Sequence, residues 1–168
     1  LSIYLSKQGA NVSVFDKRSD LRTGDGQAGR SINLALSNRG ICALEALGVS
    51  KDIIEISMPM YKRIMHSVTG YITEQKYGKE NQAIFSVSRH NLNERLVNLA
   101  EDIGVRFYFN HECKKIDFCN TELVFKNGFS SGSHYIFGAD GAGSFIRKQM
   151  SKSSPDVNMI EKFIDSSY

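Results

Sequence analysis

Residues 138–147, Gly-Ala-Asp-Gly-Ala-Gly-Ser-Phe-Ile-Arg, follow directly on the apolar run Tyr135-Ile136-Phe137. A strand ending in Gly-Ala-Asp-Gly lets the backbone approach a ligand closely, because glycine carries no Cβ and tolerates positive φ. The helix expected from about Gly143 to Met150 then offers unpaired N–H groups and a positive dipole end to an anion. A strand, a glycine turn and a helix in succession make the repeating unit of an α/β protein. The same residues also read as a glycine-rich turn with a capping aspartate, and on their own they admit both.

The other end of the chain shows a matching unit. Residues 1–9 read as the last turns of a helix, with Leu1, Leu5 and Tyr4 toward one face and Gly9 as its stop. Residues 12–15 form a β-rich run that ends in Asp16-Lys17-Arg18. In a dinucleotide-binding βαβ unit an acid at the end of the second strand lies about 20 residues after the glycine turn and accepts hydrogen bonds from a ribose. Counting back from Asp16 puts the first strand and its G-x-G-x-x-G turn before Leu1, so the chain is expected to begin inside such a unit. A solvated strand-end acid is the competing account of Asp16.

Between these ends the pattern changes. Residues 23–29 form a glycine-rich connection that delivers Arg30-Ser31-Ile32-Asn33-Leu34-Ala35-Leu36-Ser37, after which Ser37 or Asn38 can cap a helix running to about Leu47, with Gly48 as its stop. Alternation at 61–68, 71–76 and 83–88 predicts strands, which interrupt the helix–strand rhythm as an inserted sheet. Residues 91–103 are amphipathic, with Leu92, Leu96, Leu99, Ala100 and Ile103 on one face. Strand 105–109, a hairpin of 113–118 and 122–125 around Cys119-Asn120, and strand 133–137 complete the pattern. Lys152-Ser153-Ser154-Pro155 marks a break.

Composition narrows the function. Apolar residues make up 41% and charged residues 23%, and no apolar run approaches the length of a membrane span. The net charge of +3 is small and its lysines and arginines are scattered, which speaks against nucleic acid and for a small polyanionic ligand. Cys42, Cys113 and Cys119 have neither metal-site spacing nor an even count, as expected of reduced thiols in an intracellular protein. His66, His90, His111 and His134 show no ligand spacing, so no metal site is expected.

The spacing Asp140-Gly141-x-x-Ser144-x-x-Arg147 resembles the second fingerprint of the FAD-dependent aromatic hydroxylases. Further blocks resemble the FAD domain of that family in the same order: Gly29 to Ser37, Met58-Pro59-Met60, His66-Ser67, Tyr77-Gly78, Ser86-Val87-Ser88-Arg89 and Asn91-Leu92-Asn93. Within the family the similarity is to the branch that acts on the aromatic amino acid L-kynurenine. It implies an α/β, Rossmann-like FAD-binding domain with an inserted β-sheet, truncated at both ends. Residues 1–154 would be the partial FAD domain, with substrate-side strands inserted at about 58–88, and 155–168 would lead toward a substrate domain.

The implied activity is FAD- and NADPH-dependent hydroxylation of L-kynurenine with dioxygen, in tryptophan degradation, with this chain inactive by itself. Alternatives are another FAD-dependent aromatic hydroxylase or a catalytically inert truncated product. An ordinary nicotinamide dehydrogenase is disfavoured by the inserted sheet and the second Asp-Gly fingerprint. The flavin carries the chemistry, so no catalytic side chain is assigned. By the same resemblance, Asp16, Arg18, Arg30, Ala35, Arg89, Asp140, Gly141 and Ser144 would serve the cofactor, with Asp16 standing where the family usually has the longer Glu. Arg63 and Tyr77 would hold the substrate carboxylate. The full-length parent would sit on the mitochondrial outer membrane through a C-terminal region outside this chain.

Overall fold

The computed structural model describes residues 1–24, 32–80, 82–154, 159–160 and 162. It divides into two compact units, Leu1–Asn110 and His111–Tyr168. The first contains, in order, α1 (Ser2–Lys7), β1 (Ser13–Phe15), a 3-10 turn (Leu21–Thr23), β2 (Asn33–Leu36), α2 (Asn38–Ala46), α3 (Ser50–Glu55), β3 (Met58–Met60), β4 (Lys62–His66), β5 (Ile72–Lys76), β6 (Ile84–Ser88), α4 (Arg89–Asp102) and β7 (Arg106–Tyr108). The second contains β8 (Cys113–Asp117), β9 (Glu122–Phe125), β10 (Ser130–Gly132) and α5 (Phe145–Ser153).

In the first unit β1 pairs in parallel with β7, Val14 opposite Phe107, and the rings of Phe15 and Tyr108 stack at 4.8 Å. Parallel neighbours need a crossover, and here the crossover contains nearly the whole unit. α4 packs beneath it. Ile3, Ala100 and Val105 form one buried cluster, and Leu44, Val49 and Ile53 form another; Leu47, Leu96 and Leu99 pack against both. The predicted amphipathic face of residues 91–103 is thus the shared wall of the core, although Ile103 at its end stays 37% exposed. Gly9 and Gly48 follow α1 and α2 at φ 86° and 68°, the left-handed stops their helices require.

The inserted strands do not form one sheet. β4 and β5 pair only with each other, whereas β6 takes β2 on one side and β3 on the other, all antiparallel. The alternation in 83–88 identifies a strand correctly but carries no information about its partner, and its neighbours turn out to be segments too short to show a periodicity. β2, β3 and the six-residue α3 were not expected for that reason.

In the second unit β8, β9 and β10 form an antiparallel meander in which Ile116 and Phe125 are buried. The strand expected at 133–137 is absent: β10 ends at Gly132, and Tyr135 and Phe137 are 80% and 57% exposed. Among the described residues no strand pairs with this run, including β1. β-propensity alone does not make a strand when the ladder's hydrogen-bonding partner is missing. α5 begins two residues later than expected, at Phe145.

Ile53 has no exposed surface in the cluster between α2, α3 and α4. Ile53→Ala should lower stability by about 2–5 kcal/mol through lost burial and the cavity left behind. The midpoint of urea unfolding, compared with that of the parent sequence, measures it.

Candidate functional site

At the end of β1 the ladder continues one residue further, Asp16 N–H donating to the Tyr108 carbonyl at 3.0 Å. The Asp16 carboxylate is gripped by Arg18. Oδ1 accepts from the Arg18 amide at 2.9 Å and from Nε at 3.1 Å, and Oδ2 accepts from the guanidinium at 2.8 Å. Burial works to raise the Asp16 carboxyl, but these hydrogen bonds and the charges of Arg18 and Lys17 outweigh it and hold it below its ordinary value. A carboxylate accepts about four hydrogen bonds, so Arg18 leaves room for one more on Oδ2. The two predicted residues are therefore brought together, as a pair that a ribose hydroxyl could join.

Below this, the β2–β6–β3 sheet sorts its side chains by alternation. Leu34 lies opposite Val87 and Leu36 opposite Phe85, and this face turns to the core, with Val87 1% exposed and Leu36 packed on the cluster around Ile53. On the other face Ala35 lies opposite Ser86, Ser86 opposite Met58, and Asn33 opposite Ser88. Small side chains make that face low and flat, and Met58 is 68% exposed beside it. Ala35 was expected here. Asn33, Ser86 and Met58 were missed, although the polar positions of Asn33-Leu34-Ala35-Leu36 and Ser86-Val87-Ser88 carried the signal.

Ser88 ends β6 and caps α4, its hydroxyl accepting from the Asn91 amide at 3.4 Å. Arg89 is the first residue of that helix and is exposed, beside the Asn33–Ser88 register pair. The predicted Arg30 lies outside the described residues.

On the β4–β5 hairpin, Arg63 stands opposite Gln75, to whose Oε1 its Nε donates at 2.8 Å. Tyr77 N–H donates to the Tyr61 carbonyl at 3.0 Å, which extends the register by one pair. Arg63, Tyr61 and Tyr77 thereby share one face, with Arg63 and Tyr77 diagonal neighbours. Such neighbours lie about 7–8 Å apart, a span that a carboxylate can bridge.

In the second unit Asp140, Gly141 and Ser144 form one turn. Ser144 is buried and caps α5, its Oγ accepting from the Arg147 amide at 3.0 Å while its hydroxyl donates to Asp140 Oδ1. Asp140 Oδ2 accepts from the Ile146 amide at 3.1 Å. Burial pushes the Asp140 carboxyl up, and the Ser144 hydroxyl with the amides of Ile146 and Phe145 more than offsets it, so the group lies below its ordinary value. Gly141 needs its freedom at φ 80°. A Cβ at Gly138 would stand 3.0 Å from Ile146 Cγ2, whereas one at Gly141 or Gly143 would meet nothing within 4 Å. The turn is closed on its helix side and open on the other, and among the described residues no hydrogen bond is donated by the amides of Gly141, Ala142 or Gly143. Three unpaired amides in an open glycine turn fit a polar or anionic group such as a flavin nucleotide presents.

These arrangements can be set beside known proteins. No protein-family model matches the chain. It is 42% identical to kynurenine 3-monooxygenase of Christiangramia forsetii over 175 aligned positions, 38% identical to that of Cytophaga hutchinsonii and 33% to that of Caenorhabditis elegans. Over its length the chain is similar to kynurenine 3-monooxygenase. The alignments cover 96–100% of this chain but only 37–40% of those relatives, so it spans well under half the length of the relatives it matches.

Solved structures agree on the fold. A tetrameric form of 2-methyl-3-hydroxypyridine-5-carboxylic acid oxygenase matches with a TM-score of 0.73 at 25% identity, over 89% of this chain and 38% of that one. The probable FAD-dependent monooxygenase PqsL of Pseudomonas aeruginosa matches with 0.73 at 14% identity, over 97% and 43%. The architecture is therefore the α/β one of the FAD-dependent aromatic hydroxylases. No helix among the described residues is long and apolar enough to cross a membrane.

Because Asp140 lies below its unfolded value of about 3.9, it adds stability that is present above that pH and lost as pH falls through the folded-state value. Asp140→Asn should therefore be less stable than the parent at neutral pH, with the difference shrinking as pH falls below the unfolded value. Urea unfolding of both proteins across a pH series from neutral downward tests this.

Proposed function

We propose that the protein containing this chain is an FAD- and NADPH-dependent monooxygenase that hydroxylates L-kynurenine to 3-hydroxykynurenine. The observation that carries the reading is the placement of Arg63 and Tyr77 on one exposed hairpin face, in a chain similar throughout to kynurenine 3-monooxygenase. When bound, FAD supplies the chemistry, accepting a hydride from NADPH and passing one oxygen atom of dioxygen to the aromatic ring.

The chain's own residues bind and orient. Arg63 presents a planar fork to the α-carboxylate, and the Tyr77 phenol donates a further hydrogen bond, which fixes the amino-acid end so that the ring is held in one place. The flat face of Ala35 and Ser86 accepts a planar ring system. Arg89 takes cofactor phosphates, a role the family resemblance also gives Arg30, and Asp16, steadied by Arg18, takes a ribose hydroxyl. Gly141 and its neighbours donate amides to the pyrophosphate and ribityl region, and Asp140 with Ser144 holds that turn in shape. An intracellular site, with the full-length parent on the mitochondrial outer membrane, belongs to the same proposal, and fractionation of cells expressing the parent tests it.

In the protein that contains this chain, Arg63→Ala should raise KM for kynurenine roughly 10- to 100-fold, the worth of a charge-assisted hydrogen bond, with flavin content unchanged. Arg63→Lys should recover only part of this, because an ammonium lacks the bidentate fork. Steady-state kinetics and flavin absorbance measure both quantities. Lost flavin with an unchanged KM would place Arg63 in the cofactor pocket instead.

A further inference from the structure

The opposite face of the β4–β5 hairpin carries a feature that the proposed function does not use. Lys62 and Lys76 stand directly opposite each other in register, and like charges so placed destabilise a sheet. Lys62 is partly relieved, its Nζ donating to both carboxylate oxygens of Glu74 at 2.8 Å. Lys76 has no ion pair or side-chain hydrogen bond among the described residues, and neither has the Nζ of Lys79.

Lys79 is brought to this pair by an ordered turn. Its amide donates to Gln82 Oε1 at 2.9 Å, and Gly78 packs so tightly on Gln82 that an added Cβ would stand 2.7 Å from that side chain. At the open end of the hairpin the three lysines, with Tyr61, the chain neighbour of Lys62, and with Glu80, line a concavity of about 160 Å³. A pair that breaks the rule for sheet charges, joined by a third cation on a held turn, is accounted for if an anion completes it.

We propose that this concavity is a binding site for a small oxyanion of the phosphate class. Ammonium groups are compact charges with three donors each and can surround a tetrahedral oxyanion from several directions. A phosphomonoester, at a charge of about −1.5 to −2 near neutral pH, converts the Lys62–Lys76 repulsion into attraction. Glu80 opposes binding and gives the test a variant of opposite sign. The phosphate is either free or carried on a nucleotide, and the site requires no flavin, so it stands or falls separately from the proposed function.

The test is a titration of the full chain with sodium phosphate at ionic strength held constant with sodium chloride, followed by amide NMR. Saturating shifts should centre on Tyr61, Lys62 and the turn from Lys76 to Gln82. The double variant Lys76→Gln, Lys79→Gln should bind at least tenfold more weakly, and Glu80→Gln should bind more tightly. Adenosine 2′-phosphate, with adenosine as its control, separates the sources: tighter binding than inorganic phosphate indicates a nucleotide-borne group, and equal or weaker binding indicates the free ion. Thermal unfolding gives a second readout, phosphate raising Tm of the parent sequence but not of the double variant. Shifts that chloride reproduces, or equal responses from the parent and the double variant, would overturn the proposal.

Discussion

Burial of one face of α4 is the interaction on which the first unit depends. Leu96 and Leu99 pack against both buried clusters, and Ala100 is itself 1% exposed. Burying a leucine contributes about 1.5–3 kcal/mol relative to leaving it in water, so this face holds α1, α2 and α3 to one helix. Arg22 adds a polar clamp, donating to Asp20 at 2.7 Å, to Asn98 at 2.9 Å and to Glu101 at 3.1 Å while its guanidinium lies over the Phe109 ring. The consequence reaches the candidate site because no loop separates β6 from α4. Ser88 belongs to the strand and caps the helix. Fixing the helix therefore fixes both the flat face at Ser86 and the position of Arg89.

The second unit solves a different problem at Asp140. A carboxylate that could face a ligand is instead engaged by the start of α5, with Ser144 on one oxygen and the Ile146 amide on the other. The two sequence readings of this motif, a capping turn and a ligand turn, are thus not rivals. Capping by Asp140 and Ser144 holds the backbone in a shape whose next three amides stay unpaired and open. On the proposed function Asp140 is a positioning residue, and the glycine amides make the contact. The same logic holds at Asp16, where Arg18 consumes most of the carboxylate's capacity and steadies what remains.

What could be read from the sequence follows the length scale of each signal. The amphipathic run of α4, the glycine stops after α1 and α2 and the hairpin around Cys119-Asn120 depend on neighbours within a few residues, and they appear where expected. Partner choice between strands does not depend on near neighbours. Residues 133–137 have the composition of a strand and no ladder, while the three-residue β3 has a ladder and a proline, Pro59, that conceals it. In the candidate site, Asp140 stands out through its motif, and Ala35, Arg63 and Tyr77 through the family resemblance alone. Asn33 and Ser86 lie on the polar positions of their alternation, and the register places them, with Met58, around Ala35.

The hairpin shows how much a two-residue period can separate. Along β4 and β5 one set of alternate positions carries Tyr61, Arg63, Gln75 and Tyr77, and the other carries Lys62, Glu74 and Lys76. Both faces are exposed throughout both strands, so neither set is retained for a core. A slip of β5 by one residue against β4 would turn its side chains over, bringing Lys76 to the side of Arg63 and sending Tyr77 to the other. The cross-strand contacts oppose that slip: Arg63 to Gln75 directly, Lys62 to Glu74 on the diagonal, and the Tyr77 amide to Tyr61 at the end. Register is the device here, because it keeps the Arg63–Tyr77 pair and the Lys62–Lys76 pair on opposite sides of a layer one strand thick.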